Sequence, residues 1–306
     1  MYGGVISKLL GESLLSFYSV FVKKINVDLT LQVWSRYVAY VVISGFFVDW
    51  VFVYKSIMSL QGVMLSIVTL AHVYASYRSF QLLDSGVATT IFYIYPIIIL
   101  LMAGSRISPV VLVSLFGVYL MANDIVHIGS PVKDRQPDMT NNNRGGDDKR
   151  GITTDKPIIK VDTNMAEYYW NEGIITAAMA AFTEALIFYL VKNMETPNNW
   201  NHLFLSYFLG AVVLTPYLWE SISNMSVYSG LSVSLAINAF IGLAGYYLRF
   251  YSISRLDAYT YAVLSYFGII MSYAYGVVLN NDVLSLQKIT GTLCIVLTNI
   301  YLLYTK

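Results

Sequence analysis

Thr140-Asn141-Asn142-Asn143-Arg144-Gly145-Gly146-Asp147-Asp148 lies near the middle of a 306-residue chain and divides it in two. Of 19 basic and 18 acidic residues, seven of each fall between Gly129 and Tyr168. With few apolar side chains and near-balanced charge, this stretch cannot offset its own ordering entropy by burial. It is expected to be a disordered linker, with a regulatory segment as the alternative. Outward from it the composition inverts. The whole chain is 57% hydrophobic and 12% charged, with mean hydropathy +0.59, whereas a soluble domain carries about 25% charged residues. A water-soluble fold cannot cover that much apolar surface, so the fold class is all-α, a polytopic membrane protein.

Five apolar stretches stand on each side of the polar segment, each of a length to cross a hydrocarbon core of about 30 Å. They run over Gly3–Lys23, Gln32–Phe47, Leu60–Leu82, Gly86–Ala103 and Ile107–Val126, then Trp170–Val191, His202–Trp219, Ser229–Ser252, Ala258–Leu279 and Leu284–Tyr304. Five is odd, so the second set crosses in the opposite sense to the first. The expected layout is ten transmembrane helices as a 5+5 inverted repeat, an arrangement typical of carriers. It divides the chain into 1–128, the linker 129–168, and 169–306.

The halves can be superposed. A shift of 173 residues places Tyr74 on Tyr247, Ser79 on Ser252, Leu83-Asp84 on Leu256-Asp257, and Tyr93 on Tyr266. Glu12-Ser13-Leu14-Leu15-Ser16-Phe17-Tyr18 resembles Glu184-Ala185-Leu186-Ile187-Phe188-Tyr189 with one residue fewer. The short loops carry four Lys/Arg on each side, so charge asymmetry does not orient the chain. The sequon Asn224-Met225-Ser226 faces outside if the N-terminus is inside.

The net charge of +1 points to no nucleic-acid partner. Cys294 is the only cysteine, which removes intrachain disulfides and cysteine-based metal sites. The first stretch carries Lys8 and Glu12 with no small-residue cleavage site after it, so a retained helix is expected rather than a signal peptide. Nothing in the sequence calls for a cofactor.

Several motifs then resemble the EamA-type repeat of the drug/metabolite transporter superfamily. Trp34-Ser35-Arg36-Tyr37 looks like the start of that family's second helix, and Leu82-Leu83-Asp84-Ser85-Gly86-Val87-Ala88 like the opening of its fourth. Phe92-Tyr93-Ile94-Tyr95-Pro96 is similar to its aromatic-proline motif, and Asp282-Val283-Leu284-Ser285 with Gly291 to the entry into its last helix. The chain departs from the pattern where Ile269 replaces the second proline and Ser105-Arg106 replaces Gly-Glu. The resemblance implies a ten-helix carrier with alternating access. It also implies a cavity lined by the first, third, fourth, sixth, eighth and ninth helices.

Ionisable side chains inside a bilayer are costly and each needs a reason. Glu12 and Glu184 occupy nearly equivalent repeat positions and could bind a cation, take up a proton, or hydrogen-bond a neighbouring helix. Lys8, one turn before Glu12, invites an internal ion pair. His72, with Tyr74 close by, suits proton coupling or a structural hydrogen bond. Asn238 could meet a polar solute or join two helices. Tyr93, Tyr95 and Tyr266 offer rings and hydroxyls to an amphipathic solute, or pack helices; Pro96 places a bend beside them. Arg36 and Arg249 sit near span ends, where snorkelling to the interface is the favoured reading.

The function expected is a transporter of a small organic solute, an amino acid or metabolite, with protons as a coupling ion. Its partners are then the small-molecule substrate, protons and the lipid bilayer, with a homodimer compatible. A nucleotide-sugar or sugar-phosphate exchanger is the alternative, although no Lys or Arg lies between Leu256 and Leu279 to meet a phosphate. A membrane enzyme lacks its usual motifs here, and His72, His127 and His202 are scattered. A non-transporting receptor or scaffold does not need a repeat.

Overall fold

The computed structural model describes residues 2–22, 25, 27–83, 85–104, 109, 111–122, 163–196, 198–219, 229–280 and 285–304. In the first half these form α1 (Tyr2–Ser16), α2 (Tyr18–Phe21), α3 (Leu29–Gly45), α4 (Trp50–Ser56), α5 (Leu60–Leu82), α6 (Ser85–Phe92), α7 (Tyr95–Met102) and α8 (Val111–Ala122). In the second half they form α9 (Thr163–Asn193), α10 (Asn199–Tyr217), α11 (Ser229–Arg255), α12 (Ala258–Ser265), α13 (Phe267–Asn280) and α14 (Leu286–Tyr304). Most of the expected linker 129–168 lies outside the described residues, as do Asp84, Arg106, Asp282 and the sequon at Asn224; Thr163–Tyr168 belong to the first turns of α9.

The polar residues between apolar stretches mark helix starts. Asp28, Asp49, Ser59, Asn198 and Asp257 each accept a hydrogen bond from a backbone N–H of the helix that follows. This satisfies donors that a helix start leaves open. Three of the expected spans are interrupted. At Phe17, at Tyr93-Ile94 and at Tyr266 the backbone tightens from i→i−4 to i→i−3 bonds, as in Ile94 N–H to Ile91 O (3.1 Å) and Tyr266 N–H to Val263 O (3.2 Å).

Four described segments are long and apolar enough to cross a membrane: Leu60–Leu82, Tyr168–Asn193, Val233–Arg255 and Ala258–Leu279. The other expected spans fall short for visible reasons. α1 has 15 residues and carries Lys8 and Glu12, α3 has 17 and carries Arg36, and α10 opens on Asn199 and contains Pro216. Ile175, Phe182, Val213 and Phe240 are all more than half exposed on outer faces, while Lys8, Glu12, Arg36, His72, Glu184 and Arg249 are at most 2% exposed. Charge inside and large apolar side chains outside is the distribution a bilayer selects. The described residues are helical without strands, and the protein is a membrane protein.

Helix partners recur in exchange. α1 packs on α11 as α9 packs on α5, and α3 touches α11 as α10 touches α5. α6 meets α13 as α12 meets α7, and α3 pairs with α10 and α8 with α14. The bounds agree too: Ser85–Phe92 and Ala258–Ser265 are 173 residues apart at both ends, as are Leu82 and Arg255, the last residues of α5 and α11.

Candidate functional site

Glycines bring α1 against α11. A Cβ on Gly11 would stand 3.2 Å from the Gly245 carbonyl oxygen, and one on Gly245 would stand 2.8 Å from Leu15 Cδ2. This close crossing delivers Glu12 to Arg249. Arg249 Nη2 donates to both Glu12 oxygens (3.1 and 3.3 Å), and its Nη1 donates to Glu184 Oε1 at 2.7 Å. One guanidinium therefore bridges the two carboxylates that the sequence placed at equivalent positions. Charge-assisted bonds of this kind are the ones able to hold a buried ion.

Each carboxylate has further partners. Lys8 Nζ donates to Glu12 Oε1 and to the Tyr95 hydroxyl (3.2 Å), and lies 3.5 Å from the centroid of the Tyr261 ring. Tyr93 donates its hydroxyl hydrogen to Glu12 Oε2, and Tyr95 donates to Oε1 at 3.3 Å. Gly268 makes room for this: a Cβ there would stand 2.9 Å from Glu12 Oε2 and overlap the Tyr93 hydroxyl. On the other side, Glu184 Oε2 lies 3.2 Å from His72 Nε2, and no hydrogen bond to that oxygen has formed. His72 Nδ1 lies 3.1 Å from the Ala180 carbonyl, which can only accept, so Nδ1 carries the hydrogen. Neutral His72 then turns the Nε2 lone pair toward the Tyr246 hydroxyl at 2.8 Å and toward the Glu184 carboxylate. A proton taken up between Nε2 and Oε2 would turn that repulsion into a hydrogen bond.

Beside this network stands Arg36, ringed by tyrosines. Its Nη2 donates to the Tyr207 hydroxyl at 2.8 Å and its Nη1 to that of Tyr77 at 3.5 Å. Asn238 Nδ2 donates to the same Tyr77 hydroxyl at 3.1 Å, so Asn238 ties α11 to α5 behind the cage. Arg36, His72, Tyr93, Tyr246 and Arg249 share the wall of one cavity of about 30 Å³. That volume holds little more than water, far below the roughly 300 Å³ of an ordinary ligand site.

The structure thus brings Glu12, His72, Tyr93, Tyr95 and Glu184 together. Asn238 is buried one layer behind, and Tyr266 is buried at the joint between α12 and α13, outside the cavity wall. Tyr74 is 50% exposed on the outer surface of α5, away from the network. Pro96 lies in the first turn of α7, next to the Tyr93-Ile94 interruption. Two readings need correction. Arg36 and Arg249 do not snorkel: both are 2% exposed, because α3 begins at Leu29 and α11 continues to Arg255, which sets each arginine inside its helix. The cavity wall also differs from the expected one. It takes Arg36 from α3 and has no residue of α9, α12 or α13, since Arg249 covers Glu184. Arg36 and Arg249 were the functional candidates that sequence reasoning passed over. Their signal was a basic residue within reach of mid-span carboxylates. Among the described residues no group of three or more His, Cys, Asp or Glu side chains is placed to hold a metal ion.

A solved protein crystal structure aligns with 100% of this chain and 98% of its own, at 15% identity and a TM-score of 0.52; at that identity the shared feature is the fold. No curated protein matches the sequence. The model of the EamA-like transporter family matches residues 171–304, which take in all of α10 to α14 and most of α9. Those residues are thus similar to the EamA-like transporter family, a family of membrane transporters.

Proposed function

We propose that this protein carries a small organic solute across a membrane by alternating access between two five-helix halves, 1–128 and 169–306, joined by the segment 129–168. The observation that carries the reading is the single guanidinium of Arg249 shared between Glu12 and Glu184. Those carboxylates stand on α1 and α9, the helices that exchange places when the packing partners of the two halves are swapped. A side chain bonded to both halves is one that a rocking motion can redistribute. The exchanging contacts and the shared offset of 173 residues support an inverted repeat.

The same site supports proton coupling. Protonation between His72 and Glu184 weakens the hold of Glu184 on Arg249 and leaves Arg249 to Glu12. The sugar-phosphate and nucleotide-sugar reading is not favoured by the cavity wall: α12 and α13 contribute no residue to it, and of its two arginines Arg249 is already held by Glu12 and Glu184. The test uses proteoliposomes enclosing a pH-sensitive dye. Solute uptake accompanied by proton entry is expected, and Glu184→Gln should keep solute exchange while abolishing the proton signal. Uptake with no proton movement in the unsubstituted protein removes the coupling, and failure to move any organic solute removes the carrier.

A further inference from the structure

Arg36 is a buried cation with no anion beside it among the described residues. Arginine stays charged in any protein environment. The ion pairs among the described residues involve Lys8, His72, Arg78 and Arg249 as the basic partner, and none involves Arg36. Its Nε has no hydrogen-bond partner, and Nη1 reaches Tyr77 only at 3.5 Å. In place of a carboxylate it has aromatic faces. Its guanidinium carbon lies 4.5 Å from the ring centroid of Tyr246, 5.1 Å from Tyr18, 5.2 Å from Tyr40, 5.5 Å from Tyr207 and 5.6 Å from Tyr77. Ring faces and phenol hydroxyls stabilise a cation without neutralising it. A residue needed only for packing at this position would be apolar, because a buried charge without a counter-ion destabilises the fold.

The charge balance of the interior is the second observation. Lys8 and Arg249 are matched by Glu12 and Glu184, all four within one network. Among the described residues Arg36 is left over as one positive charge, and it faces the cavity. A ligand bringing one negative charge there completes the balance, whereas a phosphate dianion would overshoot it beside Glu12 and Glu184. The rest of the wall sets Leu15, Phe80 and Phe92 beside the hydroxyl-bearing Ser16, Ser76 and Thr89, so an apolar body has rings to meet there.

We propose that Arg36 is the substrate-charge residue of this carrier and that the solute is a small organic monocarboxylate, its carboxylate on the Arg36 guanidinium and its apolar part against Phe80 and Phe92, in a state opened beyond the water-sized cavity of this structure. The proposal rests on the carrier reading for its biological meaning, yet it concerns binding and is tested without transport. The protein in detergent is titrated, by calorimetry and thermal shift, with acetate, butyrate and phenylacetate, with the matching neutral amides, and with phenyl phosphate. At least one acid should bind about tenfold or more tightly than its amide, the size of effect a charge-assisted hydrogen bond produces. Arg36→Gln should remove that preference and leave the amide within about twofold, while Arg36→Lys retains part of it. No acid preference anywhere in the series overturns the proposal whether or not the variants fold. An acid preference that persists in Arg36→Gln, or phenyl phosphate binding tightest, overturns it equally. Absence of solute movement in proteoliposomes would instead strike the carrier reading and leave the binding result standing.

Discussion

Arg249 is held by two carboxylates on different helices, so its removal exposes both. Arg249→Gln should destabilise the protein by about 3–5 kcal/mol, the range for breaking a buried ion pair from one side. Thermal unfolding in detergent reads the loss. Adding Glu184→Gln to Arg249→Gln should restore part of it, because one of the stranded charges is gone; strictly additive losses would show that the 2.7 Å contact carries no energy. Glu12 and Glu184 could be picked out from sequence because a mid-span carboxylate has few explanations. Their partner could not, since an arginine six residues before the end of α11 reads the same whether it turns out to the interface or in to the network. Only the crossing of α1 over α11 decides between them, and that depends on Gly11 and Gly245 meeting in space.

The broken helices make the case at the next scale. Pro96 announced a bend, yet the second half breaks at Tyr266 with Phe267, Gly268 and Ile269 following and no proline present. The break therefore belongs to the packing. Tyr93 reaches Glu12 from the residue just before the joint, where its own N–H still bonds Thr89 O, and Gly268 must stay bare to admit it. Because Pro96 occupies a first-turn position where its missing N–H is not needed, Pro96→Ala should lower stability by no more than about 1 kcal/mol and keep the interruption. Gly245→Leu tests the opposite situation. A side chain there collides with Leu15 and prises α1 from α11, with an expected loss of about 1–3 kcal/mol from overpacking and a weakened Glu12–Arg249 contact. Thermal unfolding of the two variants side by side ranks them, and a larger loss for Pro96→Ala than for Gly245→Leu would contradict this account. The sequence showed where apolar helices lie through their length and hydropathy. It showed the Tyr266 joint only as an alignment partner of Tyr93, because i→i−3 tightening leaves no composition signal of its own.

For the chain as a whole, the five-plus-five layout proposed from the exchanged packing of α1 with α11 and α9 with α5 has a directional consequence. In the proposed layout, five crossings in each half would put the two chain ends on one side of the membrane and the 129–168 segment on the other. Cys294 is the only native cysteine, so Cys294→Ser supplies a background free of thiols. Into it go Tyr2→Cys, Thr305→Cys and Gly145→Cys, one at a time, in sealed vesicles of known orientation. A membrane-impermeant maleimide should label the first two from the same face and Gly145→Cys only from the opposite face. Charge counts could not make this prediction, because the short loops are evenly basic on both sides. Labelling of Tyr2→Cys and Gly145→Cys from one face would mean an even number of crossings in the first half. The two halves would then run parallel, and the exchange of α1 for α9 around Arg249 could no longer interconvert an inward-open and an outward-open form.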